Sequence, residues 1–184
     1  MAQTFARKRR KLQRKIRAMG IPHKILTVTG IILGFLIAAL LGFGAARMFG
    51  TKVVVDGDAM APAIETNAAV RVNRLIYKVS KPKRMDIVVF NMGQNNMDRY
   101  YVRRVVGLPG ETVRITDGVI YIDDEPLEYK YNTEYIENAG RASEEITLGS
   151  DEYFVIGDNY NHCEDSRNAA VGDISTDQIV GKAG

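Results

Sequence analysis

Few side chains in this 184-residue sequence stand where they could act together in catalysis. Cys163 directly follows His162, and cysteine paired with histidine is a common nucleophilic arrangement. Adjacent residues of an extended chain point to opposite sides, however, so these two side chains do not meet easily. Ser143 and Ser166 stand in polar surroundings, where hydroxyl groups usually cap turns. Taken by themselves, these residues predict an inert cysteine and no activated serine.

The composition excludes several classes of protein. A single cysteine rules out an intrachain disulfide framework and a cysteine-rich zinc module, and we expect no metal and no cofactor. Apolar residues make up 46% of the chain, which is too many for a disordered or collagenous protein. The length suits one domain of moderate size with an appendage.

That appendage is an apolar segment near the N-terminus. Residues 25–46 carry no charge, and about 20 apolar residues suffice to span a bilayer as a helix. The length favours an uncleaved transmembrane helix. A cleaved signal peptide is the alternative, because small residues lie at the outer end of the segment.

Charge predicts the orientation of this helix. Residues 1–24 hold nine basic and no acidic residues, whereas the remaining residues hold 16 basic and 22 acidic ones. The positive-inside rule therefore predicts residues 1–24 in the cytoplasm and residues 47–184 outside the cell. The basic residues can also contact membrane lipid. Since the neighbouring helix already explains them, we expect no nucleic-acid partner.

The region after the helix predicts a mainly β domain. Short β-branched or alternating runs are separated by turn residues, and long amphipathic helical patterns are missing. Asp117-Gly118 between two such runs predicts a hairpin. The predicted strands are 52–55, 68–72, 86–90, 102–106, 112–115, 119–122 and 152–156.

Residues 123–150 differ from the strands around them. From Asp123 to Glu152, both included, the chain has ten acidic and two basic residues. We interpret the segment as an exposed insertion, or a polar cap over the β core, and a binding surface for a basic partner is the alternative. Glu134, Glu137, Glu144 and Glu145 are expected to be solvated.

Five short blocks occur in a fixed order behind the apolar segment. They are residues 57–62 (GDAMAP), 86–90 (DIVVF), 107–111 (GLPGE), 157–159 with 165–167 (GDN and DSR), and 179–183 (IVGKA). Taken alone, residues 86–90 predict a strand, and residues 107–111, 157–159 and 165–167 predict turns. In this order the chain resembles the type I signal peptidases (S26-like), from the membrane helix to residue 183. The resemblance implies a mainly β domain on the outer membrane face that cuts signal peptides with a serine and lysine dyad.

The two positions that the resemblance assigns to the dyad carry residues that cannot act as nucleophile or base. Ala59 stands at the position of the nucleophilic serine and has no oxygen with which to attack. Arg103 stands at the position of the lysine base, and its guanidinium cannot accept a proton. Cys163 replaces the serine that holds the lysine. An engineered trap would need only the first change, so the three together favour a natural loss of activity.

Other positions of the family pattern are retained. By resemblance, Arg104, Asp158, Asp165 and Arg167 form ion pairs that brace the site. The resemblance also implies a groove that holds a polypeptide as an added strand, a mode that needs no dyad. We expect Asp58, Met60 and Pro62 to border that groove. Asp58 could instead pair with Arg103 and block the former site.

The resulting hypothesis is a non-catalytic, membrane-anchored homologue that binds secreted polypeptides. The chain resembles the signal-peptidase-like proteins that assist pilus assembly in Gram-positive bacteria, which implies pilin subunits, and a sortase, as partners. An active signal peptidase with an engineered or compensated dyad is one alternative. A degenerate paralogue that modulates a true signal peptidase is another.

Overall fold

The computed structural model describes residues 23–49, 51–55, 57–93, 99–129 and 134–184. The predicted cytoplasmic segment, residues 1–24, lies almost entirely outside these ranges. The chain divides into two compact units, residues 1–46 and 47–184. Each unit is described by itself.

The long apolar helix α1, His23–Phe49, lies mostly in the first unit and ends three residues beyond it. Residues Thr27–Gly44 have a mean hydropathy of 2.2 and are fully exposed. At 1.5 Å per residue, these 18 residues extend about 27 Å, close to the thickness of a bilayer core. Among the described residues, this is the one helix long and apolar enough to cross a membrane, and it contains the predicted segment 25–46.

The second unit is built from two antiparallel sheets. The larger sheet has the strand order β1-β2-β11-β3-β4-β9-β10, and the smaller has the order β7-β6-β5-β8. In chain order the strands are β1 Thr51–Val54, β2 Ala69–Asn73, β3 Ile87–Asn91, β4 Tyr100–Gly107, β5 Thr112–Thr116, β6 Val119–Ile122, β7 Glu125–Pro126, β8 Ile146–Thr147, β9 Glu152–Ile156, β10 Ile174–Ser175 and β11 Ile179–Ala183. A short helix α2, Ile76–Val79, and two 3-10 turns, Gly140–Ser143 and Thr176–Gln178, complete the unit. The prediction of a mainly β fold is confirmed.

All seven predicted strands are present, with ends that differ by at most two residues. The sequence did not predict β7, β8, β10 or β11. Three of these have two residues each, too few to show an alternating pattern. Strand β11 contains Gly181 and a register shift between Ile179 and Gly181, which breaks its alternation.

Backbone geometry explains the predicted hairpin at Asp117-Gly118 and one of the five blocks, residues 107–111. Asp117 (φ 50°) and Gly118 (φ 73°) join β5 to β6, and this left-handed pair is the geometry that the predicted hairpin requires. In the block 107–111, Gly110 has φ 85° and Glu111 donates its N–H to the carbonyl of Leu108. These features define a tight turn between β4 and β5.

The core of the second unit consists of three apolar clusters. The first joins the small sheet to β9 and includes Val106, Val113 and Phe154. The second lies between β2, β3 and the loop after β1, and includes Met60. The third packs around Phe90 and Tyr153. Strands β3, β4 and β9 contribute to more than one cluster, so the central strands hold the clusters together.

The acidic segment 123–150 is only partly the exposed insertion that the sequence predicts. Glu134, Glu137, Glu144 and Glu145 are exposed, as expected. Three apolar residues of the same segment, Ile136, Ala142 and Leu148, are buried in the first cluster. Residues 146–147 also add β8 to the edge of the small sheet. The segment therefore packs into the domain core, because its apolar residues are spaced to face inward while the carboxylates face water.

Candidate functional site

Two neighbouring arginines lie at the centre of the larger sheet. Strand β4 pairs with β3 on one side and with β9 on the other. Side chains alternate along a strand, so Arg103 and Arg104 lie on opposite faces of the sheet. Their exposed fractions are only 6% and 3%. Buried guanidinium groups need partners, and each arginine has a different set.

Arg104 forms a buried, two-pronged ion pair with Asp158. Its Nε and Nη2 donate to the two carboxylate oxygens at 2.8 and 2.5 Å, and its Nη1 donates to the carbonyl of Met85 at 3.0 Å. Burial disfavours the charged guanidinium, but Asp158 outweighs it and raises the pKa of Arg104. Asp158 also accepts a hydrogen bond from the Tyr129 hydroxyl. Burial, with the nearby carboxylate, raises the pKa of Tyr129, so that hydroxyl remains a donor.

Asp165 and Arg167 form a second buried ion pair. Arg167 Nε and Nη2 donate to the Asp165 carboxylate at 2.9 and 2.8 Å. The same guanidinium donates to the carbonyls of Tyr160 and Asn138, at 2.5 and 3.1 Å. Asp165 also accepts the N–H of Gly157 at 3.1 Å. The pair therefore ties the end of β9 to the loop that follows it.

Ala59 lies against this loop. It is 7% exposed, and its carbonyl accepts the N–H of Asn159 at 3.1 Å. Gly157 leaves room for the contact, because a Cβ there would lie 2.5 Å from both the Ala59 carbonyl oxygen and the Cys163 sulfur. Residues from the loop after β1 and the loop after β9 thus meet at one point, although about 100 residues separate them in sequence.

Cys163 is a protonated thiol in this cluster. Its Sγ donates to Asp165 at 3.0 Å and accepts a hydrogen bond from Arg167 Nη2 at 3.3 Å. Burial, and then the Asp165 carboxylate, raises the pKa of the thiol to about 12. A thiol of that pKa forms almost no nucleophilic thiolate near neutral pH. The thiol donates to Asp165 and not to His162, whose side chain is exposed. This arrangement agrees with the prediction of an unreactive cysteine.

Arg103 faces the same cluster from β4. Its Nε donates to the carbonyl of Glu164 and its Nη1 to the carbonyl of Val102, both at 2.7 Å. The guanidinium lies 5.3 Å from the ring centroid of Tyr101. Burial lowers the pKa of Arg103, an effect opposed by Cys163 and Asp165. Arginine nevertheless remains a cation in proteins, so Arg103 is a fixed positive charge here.

The remaining predicted residues differ in exposure: Met60 and Ser166 are buried, whereas Asp58 and Pro62 are exposed. Met60 is fully buried in the second core cluster, so the prediction that it borders a groove is wrong, because its apolar side chain fills the space between β2 and β3. Asp58 and Pro62 are exposed. Asp58 is not among the hydrogen-bond and ion-pair partners of Arg103 among the described residues. Ser166 is buried and its Oγ accepts the N–H of Val155 at 2.9 Å, a structural role in the sheet.

A cleft of about 500 Å³ lies next to the cluster. Tyr160, Cys163 and Arg167 line one side, and residues of the acidic segment, including Glu137 and Arg141, line the other. Ala59 and Arg103 do not line it. Neither this cleft nor the pairing of Tyr129 with Asp158 could be predicted from the sequence, because both depend on how the acidic segment packs. Among the described residues, no group of three or more acidic, histidine or cysteine side chains could hold a metal ion.

Residues 28–184 match the family described as signal peptidase, peptidase S26. The chain belongs to this family. Among its relatives, signal peptidase I U of Bacillus subtilis is 29% identical over 165 residues, which cover 86% of each chain. Signal peptidase I of Bacillus amyloliquefaciens is 32% identical over 153 residues, which cover 79% of this chain and 80% of that one.

Further members of the signal peptidase family show the same level of similarity. Signal peptidase IB of Staphylococcus aureus is 31% identical over 168 residues, which cover 82% of this chain and 84% of that one. A crystal structure of a signal peptidase I from Enterococcus faecalis is 28% identical, with a TM-score of 0.45, and covers 56% of this chain and 97% of that one. An N-terminal apolar helix of this length is consistent with a membrane anchor.

Proposed function

We propose that this chain is a non-catalytic, membrane-anchored member of the signal peptidase family that binds secreted polypeptides and assists pilus assembly. Residues 1–24 are cytoplasmic and residues 47–184 extracellular, in keeping with nine basic residues before the helix and two, Arg47 and Lys52, just after it. Its partners are secreted polypeptides or pilin subunits, together with a sortase. An active signal peptidase is the alternative.

The chemistry of the cluster around Ala59 carries the proposal. Peptide hydrolysis by a serine mechanism needs a nucleophile and a base that takes its proton. Ala59 has no hydroxyl, and Arg103 is a cation bound to two carbonyls. Cys163 is protonated and donates to Asp165. None of these three side chains can attack a peptide bond or activate a water molecule.

The ion pairs of Arg104 and Arg167 support the proposal that the domain still binds polypeptides. Both pairs are buried and fully hydrogen-bonded. They hold the loops that meet at Ala59 in place without taking part in any chemistry. Binding of an extended polypeptide by main-chain pairing requires such a fixed scaffold and no catalytic group.

Cleavage of a preprotein tests the loss of catalysis. We expect the full chain, reconstituted in liposomes, to leave a preprotein with a small-x-small cleavage site intact. Ala59→Ser alone stays inactive, because Arg103 cannot take the hydroxyl proton. The triple variant Ala59→Ser/Arg103→Lys/Cys163→Ser supplies nucleophile, base and support together, and is expected to cleave. Timed cleavage by the unmodified chain would instead establish the active signal peptidase.

Polypeptide binding is tested separately from cleavage. A fluorescent extended peptide with small side chains should bind the reconstituted full chain. A matched peptide with prolines at alternate positions should bind more weakly, because proline cannot donate to a neighbouring strand. Equal binding of the two peptides would argue against strand pairing.

The cellular role is tested by deletion of the gene. We expect polymerised pilin ladders to disappear while the secretion of other proteins stays normal. The ladders should return when the unmodified chain or a Cys163→Ala variant is expressed, since the proposed role requires no nucleophile. Ladders that persist in the deletion strain would contradict the role in pilus assembly.

A further inference from the structure

A strongly basic segment lies within a domain that is otherwise acidic. Between Glu65 and Asp86 the chain has six basic residues and no acidic one. Residues 25–184 as a whole have 16 basic and 22 acidic residues. The six basic residues are Arg71, Arg74, Lys78, Lys81, Lys83 and Arg84.

Most of these cations are exposed and unpaired. Arg84 is the exception, because it forms an ion pair with Glu111 at 2.6 Å. The other five are exposed, and within the described parts of the chain none of them forms a salt bridge. Lys52 on β1 is likewise exposed and without an ion pair there. Six positive charges therefore face solvent without internal compensation.

Strand register places part of this set on one surface. Lys52 of β1 stands opposite Arg71 of β2, and Val54 stands opposite Ala69. Residues two apart on a strand share a face, and all four are exposed. This face therefore combines two cations with Val54, which is 60% exposed, while the other face of β1 and β2 packs on the core.

The chain then continues directly into helix α2. The side chain of Asn73, at the end of β2, accepts the N–H groups of Leu75 and Ile76 at 3.0 and 3.2 Å, which fixes the turn. Helix α2 ends at Val79, whose exposed fraction is 89%. Lys78 and Lys81 lie on either side of Val79 in sequence. We refer to the exposed residues Lys52, Arg71, Arg74, Lys78, Lys81 and Lys83, with Val54 and Val79, as the basic face. Strand register places Lys52, Val54 and Arg71 on one surface, and the others follow them in sequence.

The basic face begins close to the end of the apolar helix in sequence. Helix α1 ends at Phe49, and Lys52 follows three residues later. Three residues of chain span at most about 10 Å. Chain length alone therefore keeps Lys52 close to the end of the apolar helix.

We propose that the basic face binds an anionic lipid surface. Lysine and arginine near a membrane are attracted to anionic headgroups, and exposed valines beside them can enter the boundary between headgroups and acyl chains. The acidic segment of a second copy, which carries the opposite charge, is the alternative occupant. The combination of unpaired cations, exposed valines and a neighbouring membrane helix favours lipid.

Fluorescence quenching from the lipid headgroups tests the proposal on the full chain. Val79→Cys in a Cys163→Ala background carries a fluorophore, and Glu145→Cys in the same background is the control site in the acidic segment. The chains are reconstituted in phosphatidylcholine liposomes, with or without phosphatidylglycerol, and a headgroup-attached spin label is the quencher. We expect strong quenching at position 79 only with phosphatidylglycerol, little at position 145, and loss of the effect in high salt.

Charge-neutralising variants identify the residues responsible. Each cation removed should reduce the ratio of membrane-bound to free basic face about fivefold, so Lys78→Gln/Lys81→Gln should nearly abolish the quenching. Arg99→Gln/Arg114→Gln removes the same charge from exposed arginines elsewhere and should leave it unchanged. Equal quenching in neutral and anionic liposomes, or equal effects of the two variants, would overturn the proposal. Burial of position 79 that depends on protein concentration without lipid would overturn it in favour of contact between copies.

Discussion

At the scale of single residues, the cluster around Ala59 is organised by the buried carboxylate of Asp165. Asp165 accepts hydrogen bonds from Gly157, Cys163 and Arg167 at once, and Arg103 is coupled to it through space. The sequence predicted the identity of these residues, because short blocks carry them in a fixed order. It did not predict their partners, such as the carbonyl of Glu164 that binds Arg103. Every residue has a backbone carbonyl, so the residue type does not show which carbonyl accepts a hydrogen bond.

The raised pKa of Cys163 predicts a specific loss of stability at high pH. The folded-state pKa of about 12 exceeds the ordinary thiol value of about 8.5, so folding favours the protonated form. This contribution is complete below pH 8.5 and is lost as the pH rises toward 12. Relative to a Cys163→Ser variant, the free energy of unfolding should fall by about 1 kcal/mol between pH 8.5 and 9.5. Denaturant titration in detergent at several pH values measures it.

The control for this prediction is thiol reactivity. Folded Cys163 should react with a thiol reagent at pH 8 far more slowly than the denatured chain, because little thiolate forms. Parallel stability curves for the two variants, or a fast reaction in the folded state, would contradict the raised pKa.

Because the ion pair of Arg104 is buried, removing its partner Asp158 should lower the free energy of unfolding more than removing a surface carboxylate. Asp158→Ala leaves a buried guanidinium without its partner, and should reduce the free energy of unfolding by about 3–5 kcal/mol. Asp124→Ala removes the partner of Arg114 at the surface, where the side chains are 78% and 37% exposed, and should cost less than about 1 kcal/mol. Chemical denaturation of both variants measures the difference. Similar losses for the two would show that the Arg104 pair does not stabilise the fold.

At the scale of secondary structure, contacts between distant elements decide the geometry of the site. The strands with β-branched runs were predictable, because their alternation reports the buried face. Strand β11 was not, although it lies between β2 and β3 and completes the larger sheet. The packing of residues 136–148 against the small sheet was also not predicted, because the segment contains many charged residues, which are usually exposed. In both places the tertiary contact, rather than the local pattern, determines the structure.

The close approach of the loops after β1 and β9 predicts a sensitive glycine. In Gly157→Ala the new methyl group overlaps the Ala59 carbonyl and the Cys163 sulfur, and such overpacking should destabilise the fold by about 1–3 kcal/mol. A second substitution, Cys163→Ala, removes the overlap with the sulfur but leaves the Cβ of residue 163 at 2.8 Å, and should restore part of the loss. Thermal unfolding of the single and double variants measures the coupling. Strictly additive effects would mean that residues 157 and 163 do not touch.

At the scale of the whole molecule, charge is divided by segment. The nine basic residues of positions 1–24 account for more than the entire net charge of +3. The remainder is acidic, with its negative charge concentrated between Asp123 and Glu152 and its positive charge in the basic face. We expect each region to have a different consequence. The first should orient the helix, the second is solvated around a packed apolar core, and the third is the surface proposed to bind anionic lipid.

The orientation of the chain is the prediction that belongs to this scale. Neutralising the eight basic residues within positions 7–17 to glutamine leaves Lys24 before the helix and Arg47 and Lys52 after it. This reverses the charge bias, so part of the population should insert with residues 47–184 inside. Protease added to intact spheroplasts should degrade the unmodified domain and spare a fraction of the variant. Exchanging the same residues between lysine and arginine keeps the charge and should keep the orientation. An orientation that survives neutralisation would mean that the translocated domain, rather than the basic segment, determines topology.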